Sequence, residues 1–299
     1  MTGDQRPPLS ICVATTTGWP AIEPCLRSFL VDARRVGAEV LVADGSGGGP
    51  PGDPAMREGV TWHPYPERSV FRLLELNLRA ATGEIVALTE DHCTSRPGWV
   101  EAILRAHREY PGAAAIGGAI ENGTPGSRLE WASYLMTQSQ HMAPLRNGRS
   151  VRIANEANVS FKRAALEEIE PNPLGFMTIR HLASLAARGA ELVNDDRIVV
   201  DHHESLSPRA TSTIHFDDGR TISGFRRRRM GTGDWARLAG APVLPLFRAA
   251  RVARTTLAKR RGLTLAASLA WIAWLEYCHA AGEFVGYLLG EGRSPYGLR

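Results

Sequence analysis

Gly83-Glu84-Ile85-Val86-Ala87-Leu88-Thr89-Glu90-Asp91-His92-Cys93 is the stretch from which the fold can be read. Ile85 to Leu88 is an apolar, partly branched run with no helical spacing, as expected of a strand buried on both faces of a parallel sheet. Two carboxylates and an imidazole follow it at once. In open α/β sheets ligands bind beyond the carboxyl ends of the strands, so Glu90, Asp91 and His92 stand where such a protein keeps its chemistry. Hard oxygens beside one imidazole suit a divalent cation, Mn²⁺ or Mg²⁺. A solvated acidic loop is the other reading of three residues taken alone.

The neighbouring segments repeat the alternation of strand and helix. Ile11 to Thr15 reads as a first strand. Ile22, Leu26, Phe29 and Leu30 then recur at helical spacing, and Glu39 to Asp44 is a second strand ending in an acid. A β-α-β unit of this kind predicts a parallel, right-handed crossover. The glycines of Gly45–Gly49 lead into Pro50 and Pro51 instead of a helix, so they do not form a dinucleotide cradle, and no Gly-Lys-Ser/Thr follows for a P-loop. A third strand is predicted over Gly59–His63, a helix over Ser69–Ala81, a helix after Pro97 and a buried strand over Ala113–Ile120. Ser127–Met142 reads as a helix or a long loop. Asn155–Phe161 reads as strand-like, Thr178–Arg188 as a helix stopped by Gly189, and Glu191–Val200 as a last strand. His202 and His203 follow that strand.

The chain has 299 residues, with an ordinary composition and a net charge of +4 that is unevenly spread. Between Arg220 and Arg261 there are twelve Lys or Arg and one acid, Asp234. Such a block expects an anionic partner. Leu263–Leu289 is largely apolar, but Glu276, His279 and Glu283 are too central for a comfortable membrane span. Trp271, Trp274, Tyr277, Phe284 and Tyr287 are rings favoured at a membrane interface. The expectation is an amphipathic helix lying on an anionic bilayer. The alternative is packing on the rest of the chain or on a second copy, as in a homo-oligomer. No nucleic-acid-binding pattern accompanies the basic run. Cys12, Cys25, Cys93 and Cys278 form no Cys-x-x-Cys pair, and the polar N-terminus lacks an apolar leader. Both features point to reduced thiols and a cytoplasmic setting.

Four segments together resemble the family 2 glycosyltransferases of GT-A fold. They are Ile11–Thr15 with Leu26–Leu30, Glu39–Ser46, Ala80–His92, and Ala157–Leu166. Ala281–Gly290 is similar to the C-terminal ends of bacterial members that work near membranes. The resemblance covers about residues 9–225. It implies an α/β fold with a Rossmann-like, mostly parallel sheet flanked by helices over 1–225. A basic, helical, membrane-associated region over 226–299 would complete the chain.

The implied activity is metal-assisted transfer of a sugar from a nucleotide-diphosphate donor to a lipid-linked or polysaccharide acceptor of the cell envelope. The chain would work peripherally on the inner face of the cell membrane. Thr15, Asp44 and Ser46 would meet the base and ribose, Glu90 and Asp91 ribose and metal, and His92 and His202 the metal with Asp91. His92 stands where the family's Asp-x-Asp motif has its last acid. The family's general base falls at Met177-Thr178, and neither side chain takes a proton. Glu156 is the first substitute, ahead of Asp195, Asp196 and the His202–His203 pair. A catalytically degenerate protein that binds a nucleotide or a partner is the alternative.

Overall fold

The computed structural model describes residues 6–167, 169 and 172–298; Met1–Gln5 of the polar N-terminus lie outside them. In chain order the elements are β1 (Leu9–Thr15), α1 (Glu23–Arg35), β2 (Glu39–Asp44), α2 (Pro54–Arg57), β3 (Val60–Pro64), α3 (Val70–Ala80), β4 (Ile85–Glu90) and β5 (Cys93–Ser95). There follow α4 (Trp99–Glu109), β6 (Ala113–Asn122), α5 (Arg128–Gln138), β7 (Gly148–Arg149), β8 (Val159–Lys162), α6 (Arg163–Leu166), α7 (Thr178–Ala187) and β9 (Glu191–His202). The remainder is helical: α8 (Pro208–Arg226), a 3₁₀ turn (Arg227–Arg229), α9 (Thr232–Ala239), α10 (Leu244–Ala258), α11 (Gly262–Leu289) and a second 3₁₀ turn (Ser294–Tyr296).

The chain divides into two compact units, 1–123 with 141–203, and 124–140 with 204–299. These bounds differ from the compositional division at 225/226, because α8 groups with the helices that follow it.

The first unit holds a nine-stranded sheet in the order β3-β2-β1-β4-β8-β6-β9-β5, with β7 beside β9. β3, β2, β1 and β4 run parallel, as do β6 and β9, while β8, β5 and β7 oppose their neighbours. The parallel crossover through α1 is therefore present. β1 is buried at all seven positions, as its mostly apolar sequence, Ile11 to Ala14 above all, requires in mid-sheet.

Helices cover both faces. On one, Cys12, Ala14, Val86, Leu88 and Phe161 of the sheet pack with Leu73, Leu74 and Leu78 of α3 and Leu182 and Leu185 of α7. On the other, Phe29 of α1 and Trp99 of α4 meet at 5.8 Å. Asn158, just before β8, ties this side together. Its Nδ2 donates to the Ala119 carbonyl at 2.7 Å and the Ile198 carbonyl at 3.0 Å, and its Oδ1 accepts from Trp99 Nε1 at 2.9 Å.

His107 of α4 is buried on the same side, with Nε2 2.9 Å from Ser160 Oγ. Burial, helped by the positive charge of Lys162, pushes its imidazole down from 6.5 to about 4. Between those values the unfolded chain binds a proton that the folded chain refuses, so stability rises with pH across the window. At about 1.4 kcal/mol per pH unit, folding is expected to lose up to about 3 kcal/mol as pH falls from about 6.5 to 4. Urea titrations at intervals across this range would show it. A His107→Gln variant should lose that part of the slope; an unchanged slope in the variant contradicts the assignment.

The second unit is helical. α5 opens on a capping box, with Ser127 Oγ accepting from Glu130 N at 3.1 Å and Glu130 Oε2 accepting from Ser127 N at 2.7 Å. Within the Ser127–Met142 stretch the helix thus runs from Arg128 to Gln138. α8 and α11 pack at very short range through glycines. A Cβ added at Gly219 would meet the His279 carbonyl oxygen, and one at Gly282 the Phe216 carbonyl oxygen, both well inside van der Waals contact. α11 buries Leu265, Ile272 and Leu275, while Leu263, Leu269, Trp274 and Phe284 are exposed. Among the described residues no helix is long and apolar enough to cross a membrane.

Candidate active site

β1 and β4 run side by side with Ala14 opposite Glu90. Their carboxyl ends therefore bring Thr15 against the turn that carries Asp91. Thr15 Oγ1 donates to Asp91 Oδ2 at 2.6 Å, and Thr17 Oγ1 donates to the same oxygen at 2.9 Å. The Thr15 hydroxyl accepts the Gly18 N–H at 2.8 Å. Gly18 has φ +70, and a Cβ there would strike the Ser46 side chain, so the turn between the two loops is open to glycine alone.

The other oxygen of Asp91, Oδ1, lies 2.9 Å from His92 Nδ1. A carboxylate only accepts, so this contact places a His92 proton on Nδ1 and turns Nε2 toward His202 and Glu90. Burial works against the ionised Asp91. The His92 hydrogen bond and charge, followed by the threonine hydroxyls, outweigh it and hold the carboxyl below its usual range.

β5 pairs antiparallel with the end of β9, Cys93 opposite His202, and His203 N donates to the His92 carbonyl at 3.0 Å. This hairpin-like return sets the His202 ring against His92, edge to face at 83°. Their Nε2 atoms are 3.0 Å apart. Glu90 Oε2 completes a triangle, 3.3 Å from His92 Nε2 and 3.4 Å from His202 Nε2. Ligand atoms about 2.1 Å from a shared ion stand roughly 3.0 to 3.4 Å from one another in octahedral or tetrahedral order. Three donor atoms this close repel unless a proton or a cation lies among them, so these residues fit a divalent metal. Burial pushes the Glu90 carboxyl up, but the His202 hydrogen bond and the charge of the two imidazoles bring it below the usual range. Cys93 Sγ is 3.9 Å from Glu90 Oε2. Burial and the Glu90 charge push its thiol well up, and with Glu90 and His202 it belongs to a cluster of side chains able to hold a cation.

Of the residues expected around a metal, His92 and His202 meet. Asp91 stands behind His92, its oxygens taken by Thr15, Thr17 and His92. Glu90, expected at the ribose, supplies the third atom of the triangle. Asp44 is fully enclosed. Its Oδ1 accepts from Ser46 N at 2.8 Å, and its Oδ2 from Trp62 Nε1 at 3.1 Å. Thr17 and Trp62 are site residues that the sequence reading did not single out. The Thr15-Thr16-Thr17 run beyond a strand end was the only available sign of the first.

Among the residues weighed as a base, Asp195 is held by Arg197, with Nε 2.9 Å from Oδ1. Asp196 accepts from Asn147 Nδ2 at 2.7 Å. His203 Nε2 is 2.7 Å from Thr94 Oγ1. Glu156 lies in the turn 155–158, whose Ala157 carbonyl accepts from Thr89 Oγ1 at 3.2 Å, one residue before Glu90. Met177 is the N-cap of α7 and Thr178 its first residue.

The sheet and its flanking helices match the GT-A fold of solved glycosyltransferases. A mannosyltransferase from Pyrobaculum calidifontis, solved in complex with GDP-Man and Mn²⁺, superposes with a TM-score of 0.59 at 19% identity. That match covers 96% of this chain and 88% of the mannosyltransferase. Staphylococcus aureus TarS, residues 1–349, superposes with a TM-score of 0.50 at 11% identity, over 91% and 90% of the two chains. In sequence, the glucosyl-dolichyl phosphate glucuronosyltransferase of Haloferax volcanii is 26% identical over 91 residues. The match takes in 29% of each protein, so the chain spans under a third of that relative's length. No family model matches the chain.

Proposed function

We propose that this chain is a metal-dependent glycosyltransferase that moves a sugar from a nucleotide-diphosphate donor to a lipid-linked or cell-envelope acceptor. The observation that carries the reading is the convergence of Glu90, His92 and His202 at the carboxyl end of β4 in a GT-A fold. These three residues would hold the ion, and two imidazoles favour Mn²⁺ over Mg²⁺. When bound, the cation neutralises charge on the departing nucleoside diphosphate. Asp91 positions His92 by fixing its proton on Nδ1, an outer-shell role that commonly tunes a metal site. Thr15 and Ser46 serve the nucleoside, and the enclosed Asp44 acts by holding Ser46 and Trp62. Glu156 is the assigned base. The lipid phosphate named for the Haloferax relative supports a lipid-linked acceptor.

The exposed Trp274, Tyr277 and Phe284, with the basic residues between Arg220 and Arg261, support peripheral attachment to the cytoplasmic face of an anionic membrane. The missing base at Met177-Thr178 favours a second reading, a chain that binds donor without turnover.

Thermal shift and donor hydrolysis with Mn²⁺ across a panel of UDP- and GDP-sugars test both readings. One nucleotide is expected to raise the melting temperature only when Mn²⁺ is present, and its sugar conjugate is expected to be hydrolysed. Stabilisation without hydrolysis, even with envelope lipid extract added, supports the non-catalytic reading. No stabilisation by any nucleotide overturns both.

A further inference from the structure

The second unit contains an open pocket of about 730 Å³ that the transferase reading does not use. The end of α8, the 3₁₀ turn after it, α9 and the end of α11 form its walls. Arg227 and Arg228 line it together with Trp235, Leu238, Leu288 and Leu289. Glu291 is the lining carboxylate. It is paired with Arg228, which leaves the positive charge of Arg227 in excess. At its edge the Trp235 side chain is 60% exposed and Leu289 72% exposed. Tyr287, beneath them, is fixed by its hydroxyl on Asp234 Oδ1 at 2.9 Å. Arginines near the C-terminal end of α11 also interact favourably with its dipole. That role alone needs neither an exposed indole nor exposed leucines.

We propose that this pocket seats one anionic phospholipid of the membrane surface. Its phosphate would lie against Arg227 and Arg228, and the first part of its acyl chains along Trp235, Leu238, Leu288 and Leu289. The charge selects the lipid and the apolar wall rejects a free phosphate, while an indole at the mouth matches the headgroup level of a bilayer. This deepens the membrane attachment proposed above and rests on that part of the reading, not on the metal site.

The test uses the full chain and three soluble probes: dihexanoyl phosphatidylglycerol below its micelle concentration, dihexanoyl phosphatidylcholine, and inorganic phosphate. Tryptophan fluorescence reads binding, and Trp235→Phe identifies the reporting ring. The anionic lipid is expected to bind at least ten-fold more tightly than either other probe. Arg227→Gln is expected to weaken it at least five-fold. Glu291→Gln, which removes a competing carboxylate at constant size, is expected to tighten it; a purely structural ion pair predicts no gain. Equal binding of the three probes, or weaker binding in Glu291→Gln, overturns the pocket. Vesicle flotation with and without phosphatidylglycerol, and Mn²⁺ binding, are measured on the same variants. Flotation that persists without probe selectivity refutes the pocket and leaves membrane attachment standing. Loss of Mn²⁺ binding in the unsubstituted chain refutes the transferase reading alone.

Discussion

Substituting His202 with Ala is expected to lower the affinity for Mn²⁺ by about 100-fold or more and to abolish nucleotide-dependent stabilisation. Outer-shell partners of metal ligands are typically worth 10- to 100-fold in affinity, and His202 is assigned here to the ion itself. Its Nε2 stands 3.0 Å from His92 Nε2 and 3.4 Å from Glu90 Oε2, so its removal takes away one of three converging atoms. Asp91→Asn makes a sharper companion. It keeps the shape of the side chain but weakens the acceptor that holds the His92 proton on Nδ1, and a loss of about 10- to 100-fold is expected. His203→Gln is the control, because that ring is engaged by Thr94 Oγ1 and not by the triangle. Isothermal titration of Mn²⁺ into each variant, with circular dichroism to confirm folding, separates them. Equal affinity in His202→Ala and the unsubstituted chain removes the metal site and the proposed activity with it.

That site was legible in sequence to the extent that strands were. The run Ile85–Leu88 announced a buried strand, and its polar end announced chemistry. The resemblance put His202 at the metal, but the return that carries it there could not be read. The last strand was expected to end at Val200, but β9 continues to His202, paired there by β6 on one side and the three residues of β5 on the other. A three-residue strand carries no period to recognise. The spacing of Glu90, Asp91 and His92 likewise says nothing about which carboxylate turns inward. The threonines at the end of β1 decide that, by claiming Asp91.

The helical unit shows the same limit. The signal for α5 lay in Ser127-x-x-Glu130, a capping box that the sequence reading passed over. α8 had a start signal in Ser207-Pro208, with Ser207 Oγ accepting from Ala210 N at 3.3 Å, but Thr211, Ser212, Thr213, Gly219 and Gly224 are all poor helix formers and hid its length. It is a helix because α11 packs along it. α11 itself was recognisable as apolar, but with leucines on both sides its sequence could not say which face is covered.

Gly282 offers the most direct measure of that covered face. Gly282-Glu283-Phe284-Val285-Gly286 has the small-x-x-x-small spacing that lets two helices approach closely. Here the partner is α8 of the same chain, with the Phe216 carbonyl over Gly282 and Ser223 Oγ and the Arg220 carbonyl over Gly286. On an open helix, replacing Gly with Ala stabilises by up to about 1 kcal/mol. At Gly282 the added methyl meets backbone, which cannot rotate aside, so Gly282→Ala is expected to destabilise by about 1 to 3 kcal/mol despite that gain. Gly233 in α9 supplies the opposite case, since a Cβ there finds only Arg237 Nη1 at 3.7 Å. Gly233→Ala is expected to raise the melting temperature where Gly282→Ala lowers it. If both substitutions stabilise, α8 does not press on Gly282, and the glycine face of α11 is open to a second copy of the chain or to lipid.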